Sequence, residues 1–125
     1  MMQRCPDVEA LLSRFYDAQV SGDREGVADC IAHEQEVVWI GTDPDEWFEG
    51  FDALMPVLDA QLQAVPDVEI RDAHPRAFRR GDVAWVADTP TFAVPGSPPV
   101  AMRVSAVATK DGISGASCTS TCRFR

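Results

Sequence analysis

The first thirty residues carry two successive helical patterns of apolar side chains. From residue 8 to residue 15 an apolar side chain recurs every three or four positions, which places these side chains on one face of a helix. Gly22 interrupts the pattern, and the carboxylate of Asp23 is well suited to accept amide hydrogens at the start of a second helix. Two helices are therefore predicted at the start of the chain.

The middle of the chain changes from a strand pattern to an acidic loop and then to a third helical pattern. Residues 36–42 are rich in β-branched and aromatic side chains and end near a glycine, which is typical of a strand. Residues 43–50 form the acidic loop. Apolar residues then return to helical spacing, although Pro56 limits the helix unless it lies near the first turn. We predict a third helix that begins near Asp52.

The second half of the chain has the composition of strands joined by turns. Candidate strands cover residues 68–73, 77–80, 83–89, 91–94 and 100–109. Gly81 lies in a short sequence typical of a tight hairpin turn, and residues 94–99 form a longer turn. Helices followed by antiparallel strands predict one α+β domain over residues 1–125, with the helices packed on one face of a curved sheet.

The segment of residues 113–125 differs in composition from the strands before it. It lacks the alternation of apolar residues that a final core strand needs, and it holds two of the four cysteines. We therefore predict that the segment supplies no core strand, so that closure of the sheet and pairing of subunits are impaired. Our hypothesis for the unusual composition of this segment is that a frameshift near Gly112 replaced the native ending.

Charge and hydropathy exclude several classes of partner. The chain has 20 acidic and 11 basic side chains, and its net charge of −9 repels phosphate backbones and anionic lipid surfaces. No apolar run approaches the roughly 20 residues of a transmembrane helix. The first seven residues lack the apolar stretch of a secretory signal. We expect no nucleic-acid or membrane partner and a cytoplasmic location.

The cysteines and histidines do not have the spacing of a metal site. Cys118 and Cys122 form a Cys-x-x-x-Cys pair, which needs two further ligands to hold zinc. His33 and His74 lie far upstream of the pair and far from each other. Free thiols in a reducing compartment are the preferred interpretation. We predict neither a metal nor another cofactor.

Two short motifs carry a resemblance to a known family. They are Ser-Gly-Asp at residues 21–23 and Gly-Thr-Asp-Pro-Asp-Glu-Trp-Phe-Glu-Gly at residues 41–50, the latter followed by Phe-Asp-Ala-Leu. In the order helix, helix, strand, acidic loop, helix and strands, the chain resembles the SnoaL-like branch of the nuclear transport factor 2 superfamily over residues 8–112. The resemblance implies a cone-shaped α+β fold that encloses a deep pocket, often in homodimers paired across the outer sheet face.

The same superfamily includes ketosteroid isomerases, whose catalytic groups are absent from this sequence. In an alignment on Arg14, the catalytic tyrosine position falls on Phe15, the general-base position on Trp39 and the second aspartate position on Ala106. Tyr16 is adjacent to the tyrosine position but points about 100° around the helix. The resemblance therefore implies that isomerase chemistry of that kind is absent.

The residues at these positions are apolar, and with their neighbours they form the predicted ligand pocket. Its candidate lining residues are Phe15, Trp39, Trp47, Trp85, Met102, Val104 and Ala106. Strand alternation then places Asp88 and Arg103 on the opposite face, where they can pair. We expect a small apolar or aromatic ligand. The alternative is that these side chains fill the cone as an ordinary core, in a structural or regulatory dimerisation domain.

Several polar residues allow an enzymatic alternative. Asp43, Asp45, Glu46 and Glu49 form a carboxylate cluster that could divide acid and base roles beside an apolar pocket, and Asp45 is the first to test. His74 is a second candidate base. A cyclase, isomerase or hydrolase of the same fold is therefore the alternative function. A cavity of about 300 Å³ or more would exclude the filled cone.

Overall fold

The computed structural model of the protein describes residues 2–64 and 67–120, and two helices lie near the start of this part of the chain. Helix α1 spans Pro6–Ser21 and helix α2 spans Arg24–Cys30. Gly22 ends α1 in the left-handed conformation, with a φ of 70°. The Asp23 carboxylate accepts the Gly26 amide hydrogen at 3.0 Å and so caps α2. Both predicted helices and the predicted cap are confirmed.

Helix α3 spans Phe51–Ala64 and begins one residue before its predicted start. Pro56 lies inside this helix, beyond its first turn, where the prediction had expected it to limit the helix. The helix continues because Leu54, Met55 and Leu58 bury their side chains in the core on either side of the proline. Packing of this apolar face therefore outweighs the missing backbone hydrogen bond.

Nine strands are described, and three of them were not predicted. The strands are β1 (Gln3–Arg4), β2 (Val38–Ile40), β3 (Trp47–Glu49), β4 (Glu69–Arg71), β5 (Arg76–Arg80), β6 (Val83–Asp88), β7 (Thr91–Ala93), β8 (Val100–Thr109) and β9 (Gly112–Ser120). The three that were not predicted are β1, β3 and β9. Strand β1 pairs with β5, and β3 lies within the predicted acidic loop and pairs with β2. The tight turn at Gly81 is confirmed, since Arg80 pairs with Val83 across it.

The sheet is mostly antiparallel, in the order β1-β5-β6-β8-β9-β2-β3, and the pair β4-β7 joins it through β8. Only the β2-β9 pair is parallel among the described strands. Helix α1 packs against β4, β5 and β6, and buried residues of all three helices share one core with the sheet. The α+β class is therefore confirmed.

Strand β9 contradicts the prediction that the C-terminal segment supplies no core strand. It pairs along its length with β8 on one side and, through Gly115, Ala116 and Ser117, with β2 on the other. Ala116 lies opposite Ala106, and Cys118 lies opposite Val104. The inward positions are thus filled by small side chains, and for that reason no strong apolar alternation was visible. Residues 121–125, including Cys122, lie outside the described residues, and the proposed frameshift stays a hypothesis about the encoding DNA.

Strand β6 presents to the core the face opposite to the predicted one. Ala84, Val86 and Asp88 are buried, whereas Trp85 lies on the other face with 36% of its surface exposed. If the assumed alternation of a strand is wrong by one residue, every side chain lies on the face opposite to the predicted one. The predicted outward pair of Asp88 with Arg103 is therefore wrong, because Asp88 is buried while Arg103 is exposed.

None of the helices among residues 2–64 and 67–120 combines the length with the apolar composition that crossing a bilayer requires. The longest, α1, contains 16 residues and exposes charged side chains along one face.

Candidate functional site

A cavity of about 270 Å³ lies between α1, α3 and the inner face of the sheet. Its wall is mostly apolar, with side chains from both helices and from strands β2, β3, β8 and β9. Polar groups at the wall include Gln19, Thr42, Glu46 and Gln61. Such a mixture of an apolar wall with a few polar groups is typical of a site for a small molecule.

Five of the seven predicted pocket residues lie in the wall of this cavity. They are Phe15, Trp39, Met102, Val104 and Ala106. The rings of Phe15 and Trp39 contact each other, with centroids 5.5 Å apart and planes tilted by 49°. Helix α1 and strand β2 thus bring together two aromatic residues that are far apart in sequence.

The other two predicted tryptophans lie outside the cavity wall. Trp47 is 57% exposed, and its indole nitrogen donates a hydrogen bond to a Glu49 carboxylate oxygen at 2.8 Å. Trp85 lies on the opposite face of β6. Phe48, the residue after Trp47, lines the cavity instead. The alternation of β3 would have identified Phe48 had this strand been recognised in the sequence.

Tyr16 is a cavity residue that the sequence reasoning excluded. Its side chain is buried and lines the cavity beside Phe15, because both helical positions face the core. Its hydroxyl donates a hydrogen bond to Asp88 Oδ2 at 2.9 Å. Burial, with the nearby Asp88 charge as a smaller cause, raises the pKa of Tyr16 well above its usual value. The hydroxyl therefore keeps its proton at neutral pH.

Asp88 is held by donors from two directions. Its Oδ1 accepts the backbone amide hydrogens of His74 at 3.0 Å and of Thr89 at 2.8 Å. The His74 imidazole Nδ1 lies 3.7 Å from the same oxygen, but this ring is 67% exposed and lines a separate groove with Arg103. His74 thus lies outside the cavity wall and contacts Asp88.

The acidic loop contributes Glu46 to the cavity. Asp43 and Asp45 are exposed and absent from the cavity wall. Glu46 Oε1 accepts the Asp43 amide hydrogen at 3.0 Å, and the Glu46 carbonyl accepts the Gly41 amide hydrogen at 2.8 Å. A Cβ atom at Gly41 would overlap the Glu46 side chain, so this glycine allows the loop to fold closely around the carboxylate.

The comparisons with known proteins identify the family. The family model of the SnoaL-like domain matches residues 8–112. The chain belongs to the SnoaL-like family. This SnoaL-like domain extends beyond the matched region by most of β9, and no curated protein matches it.

Solved structures share the fold of this SnoaL-like domain. A nuclear transport factor 2-like protein from Salmonella enterica has a TM-score of 0.82 at 14% identity, over 96% of this chain and 92% of that one. A nuclear transport factor 2-like protein of unknown function from Pseudomonas putida has 0.75 at 14%, over 91% and 84%. A cystatin-like fold protein from Burkholderia xenovorans has 0.68 at 21%, over 99% and 100%. At these identities the likeness shows the fold alone.

Cys118 adds a thiol to the cavity wall of the SnoaL-like domain. It is a free cysteine on β9. Burial raises the pKa of its thiol to about 11, and the negative charge of Glu46 contributes in the same direction. The thiol is therefore protonated at neutral pH, where a protonated thiol is a poor nucleophile.

Proposed function

We propose that this SnoaL-like domain binds a small, largely apolar molecule in its cavity. The observation that carries the proposal is the wall itself, in which the rings of Phe15, Trp39 and Phe48 face an apolar space of about 270 Å³. That volume lies slightly below the roughly 300 Å³ that marks the lower end of the range of ligand sites, so by itself it does not exclude a filled cone. The ligand is therefore expected to be small.

Small side chains on neighbouring strands support this proposal over an ordinary filled core. Ala106 and Ala116 pair across β8 and β9 at the cavity wall. An empty apolar space destabilises a protein because the surrounding side chains lose packing contacts. A ligand that fills the space would restore those contacts and stabilise the fold.

Two tryptophans provide a matched test. The neutral fluorescent probe N-phenyl-1-naphthylamine is titrated into the wild type and into the variants Trp39→Ala and Trp85→Ala. Only Trp39 lines the cavity, so Trp39→Ala should weaken probe binding while Trp85→Ala leaves the affinity unchanged. Equal affinities in two folded variants, checked by circular dichroism, would contradict binding in this cavity.

The outer sheet face supports the proposal of a homodimer. Val83, Trp85 and Val107 expose large apolar surfaces there, and Trp85 pairs with Val107 across β6 and β8. A second copy that covers this patch would remove apolar surface from water. Free thiols at Cys5 and Cys30 support a location in a reducing compartment such as the cytoplasm.

Glu46 supports an enzymatic alternative. It is the acidic-loop carboxylate that lies in the cavity wall, and a carboxylate beside an apolar space can act as a general base. The test is to extract any molecule that co-purifies with the protein and to follow its mass and its chromatographic retention time on incubation with the wild type, Glu46→Gln and Asp45→Asn, since an isomerase or a cyclase can leave the mass unchanged. Turnover by the wild type and Asp45→Asn but not by Glu46→Gln would support the enzyme, and an unchanged mass and retention time throughout would exclude it for that molecule.

A further inference from the structure

The two oxygens of the buried Asp88 carboxylate have different partners. Oδ2 faces the cavity residue Tyr16 and accepts its hydroxyl hydrogen at 2.9 Å. Oδ1 accepts two backbone amide hydrogens, from His74 at 3.0 Å and from Thr89 at 2.8 Å. Backbone amides can only donate, so the orientation of the carboxylate is fixed by the main chain.

This arrangement fixes the direction of the Tyr16 hydrogen bond. A tyrosine hydroxyl has one hydrogen to donate, and an ionised carboxylate has none. The Tyr16 hydrogen is therefore committed to Asp88, and turning it toward a ligand would remove a donor from a buried charge. The hydroxyl oxygen can still accept, and donation to a carboxylate makes it a better acceptor.

Resting on the proposed ligand-binding function, we propose that the ligand carries a hydroxyl or N–H group that donates a hydrogen bond to Tyr16. Tyr16 then accepts a hydrogen bond from the polar end of the ligand, and Asp88 is the positioning residue that makes Tyr16 an acceptor. The site should prefer an apolar alcohol over the ketone of the same skeleton. The other uncharged polar side chains in the wall, such as Gln19 and Gln61, can both donate and accept, so they do not create this preference.

The substitution Asp88→Asn tests whether the direction of the Tyr16 hydrogen bond matters, or only the presence of a polar group at position 88. The two backbone amides require an acceptor, so the asparagine carbonyl oxygen takes the place of Oδ1. The amide nitrogen then takes the place of Oδ2 and donates to the Tyr16 oxygen. The Tyr16 hydrogen is released and can point into the cavity. The preference of the site should therefore reverse toward the ketone.

The test uses 1-tetralol and 1-tetralone, two neutral molecules of nearly the same shape that differ in a hydroxyl and a carbonyl. Their dissociation constants are measured by displacement of N-phenyl-1-naphthylamine. We expect the wild type to bind the alcohol about tenfold more tightly, which corresponds to one hydrogen bond of about 1.4 kcal/mol. Tyr16→Phe should bind both with similar affinity. Asp88→Asn should favour the ketone, and Asp82→Asn, which makes the same charge change on an exposed turn, should keep the wild-type preference.

Each outcome decides a different point. Equal affinities in the wild type, or an alcohol preference that survives in Tyr16→Phe, would overturn the role of Tyr16 while leaving the binding cavity in place. A reversal in Asp88→Asn supports the positioning role of Asp88, and an unchanged alcohol preference in that variant overturns it. If Asp88→Asn does not fold, the comparison of wild type with Tyr16→Phe decides the role of Tyr16. If the wild type binds neither the fluorescent probe nor 1-tetralol nor 1-tetralone, the ligand-binding function itself is overturned.

Discussion

The substitution Tyr16→Phe tests whether the buried hydrogen bond between Tyr16 and Asp88 stabilises the fold. It keeps the aromatic ring in the core and removes only the hydroxyl, which donates to Asp88 Oδ2 at 2.9 Å. Asp88 would retain its two backbone donors at Oδ1, from His74 and Thr89, and lose the donor at Oδ2. The buried carboxylate would thus remain in place but be stabilised less.

The size of the effect follows from the charge of the acceptor. A hydrogen bond to a charged group contributes about 1.5–3 kcal/mol to the free energy of unfolding. For a domain of 125 residues this corresponds to a fall in melting temperature of about 6–11 °C, from an unfolding entropy of about 2 cal/mol/K per residue. The ring is unchanged, so no cavity contributes to the loss.

A double-mutant cycle separates this hydrogen bond from other effects. Urea unfolding at neutral pH is measured for the wild type, Tyr16→Phe, Asp88→Ala and the double variant. Removal of the hydroxyl should cost about 1.5–3 kcal/mol when Asp88 is present and close to nothing when it is replaced by alanine. If removing the hydroxyl costs less than about 0.5 kcal/mol in the wild-type background, the reasoning is refuted.

Three further predictions concern other residues. The raised thiol pKa of Cys118, about 11 instead of 9.0, lowers its thiolate fraction at pH 8 about 100-fold, so iodoacetamide should label it far more slowly in the native than in the urea-unfolded protein. Equal rates by peptide mass spectrometry would contradict this. Asp45→Asn should change the free energy of unfolding by less than about 0.5 kcal/mol in urea, since Asp45 is exposed. Trp85→Arg should convert a dimer to a monomer in light scattering, and a monomeric wild type would refute the proposed dimer.

Local pattern was sufficient to predict the elements with a strong period. Helices α1 and α2 and strand β8 follow from apolar spacing, capping and β-branched composition, since these are properties of the segments themselves. Local pattern was not sufficient to predict which face of a short strand is buried. Trp85 was expected inside from the alignment with the family, but Ala84 and Val86 are the buried residues of β6. Composition alone did not decide between the two faces.

The candidate site was predictable in part for the same reason. Phe15 and Trp39 come from a helix and a strand with clear patterns, whereas the contact of Tyr16 with Asp88 joins positions far apart in sequence. That contact depends on where β6 lies relative to α1, and no local signal contains this information. Strand β9 was missed because its inward residues, such as Ala116, are small and give no strong apolar alternation. The same small residues leave space for the cavity.

The position of β9 in the sheet also has a consequence for the order of folding during synthesis. The last described strand lies between β8 and β2, so the β2-β3 hairpin, made early, joins the sheet only through a segment that is translated late. A two-stranded hairpin is at best marginally stable by itself. Until β9 emerges from the ribosome, Trp39 and Phe48 have no sheet to complete the wall around them. The nascent chain therefore carries exposed aromatic side chains from the synthesis of β3 until that of β9, a period in which unpaired strand edges favour aggregation.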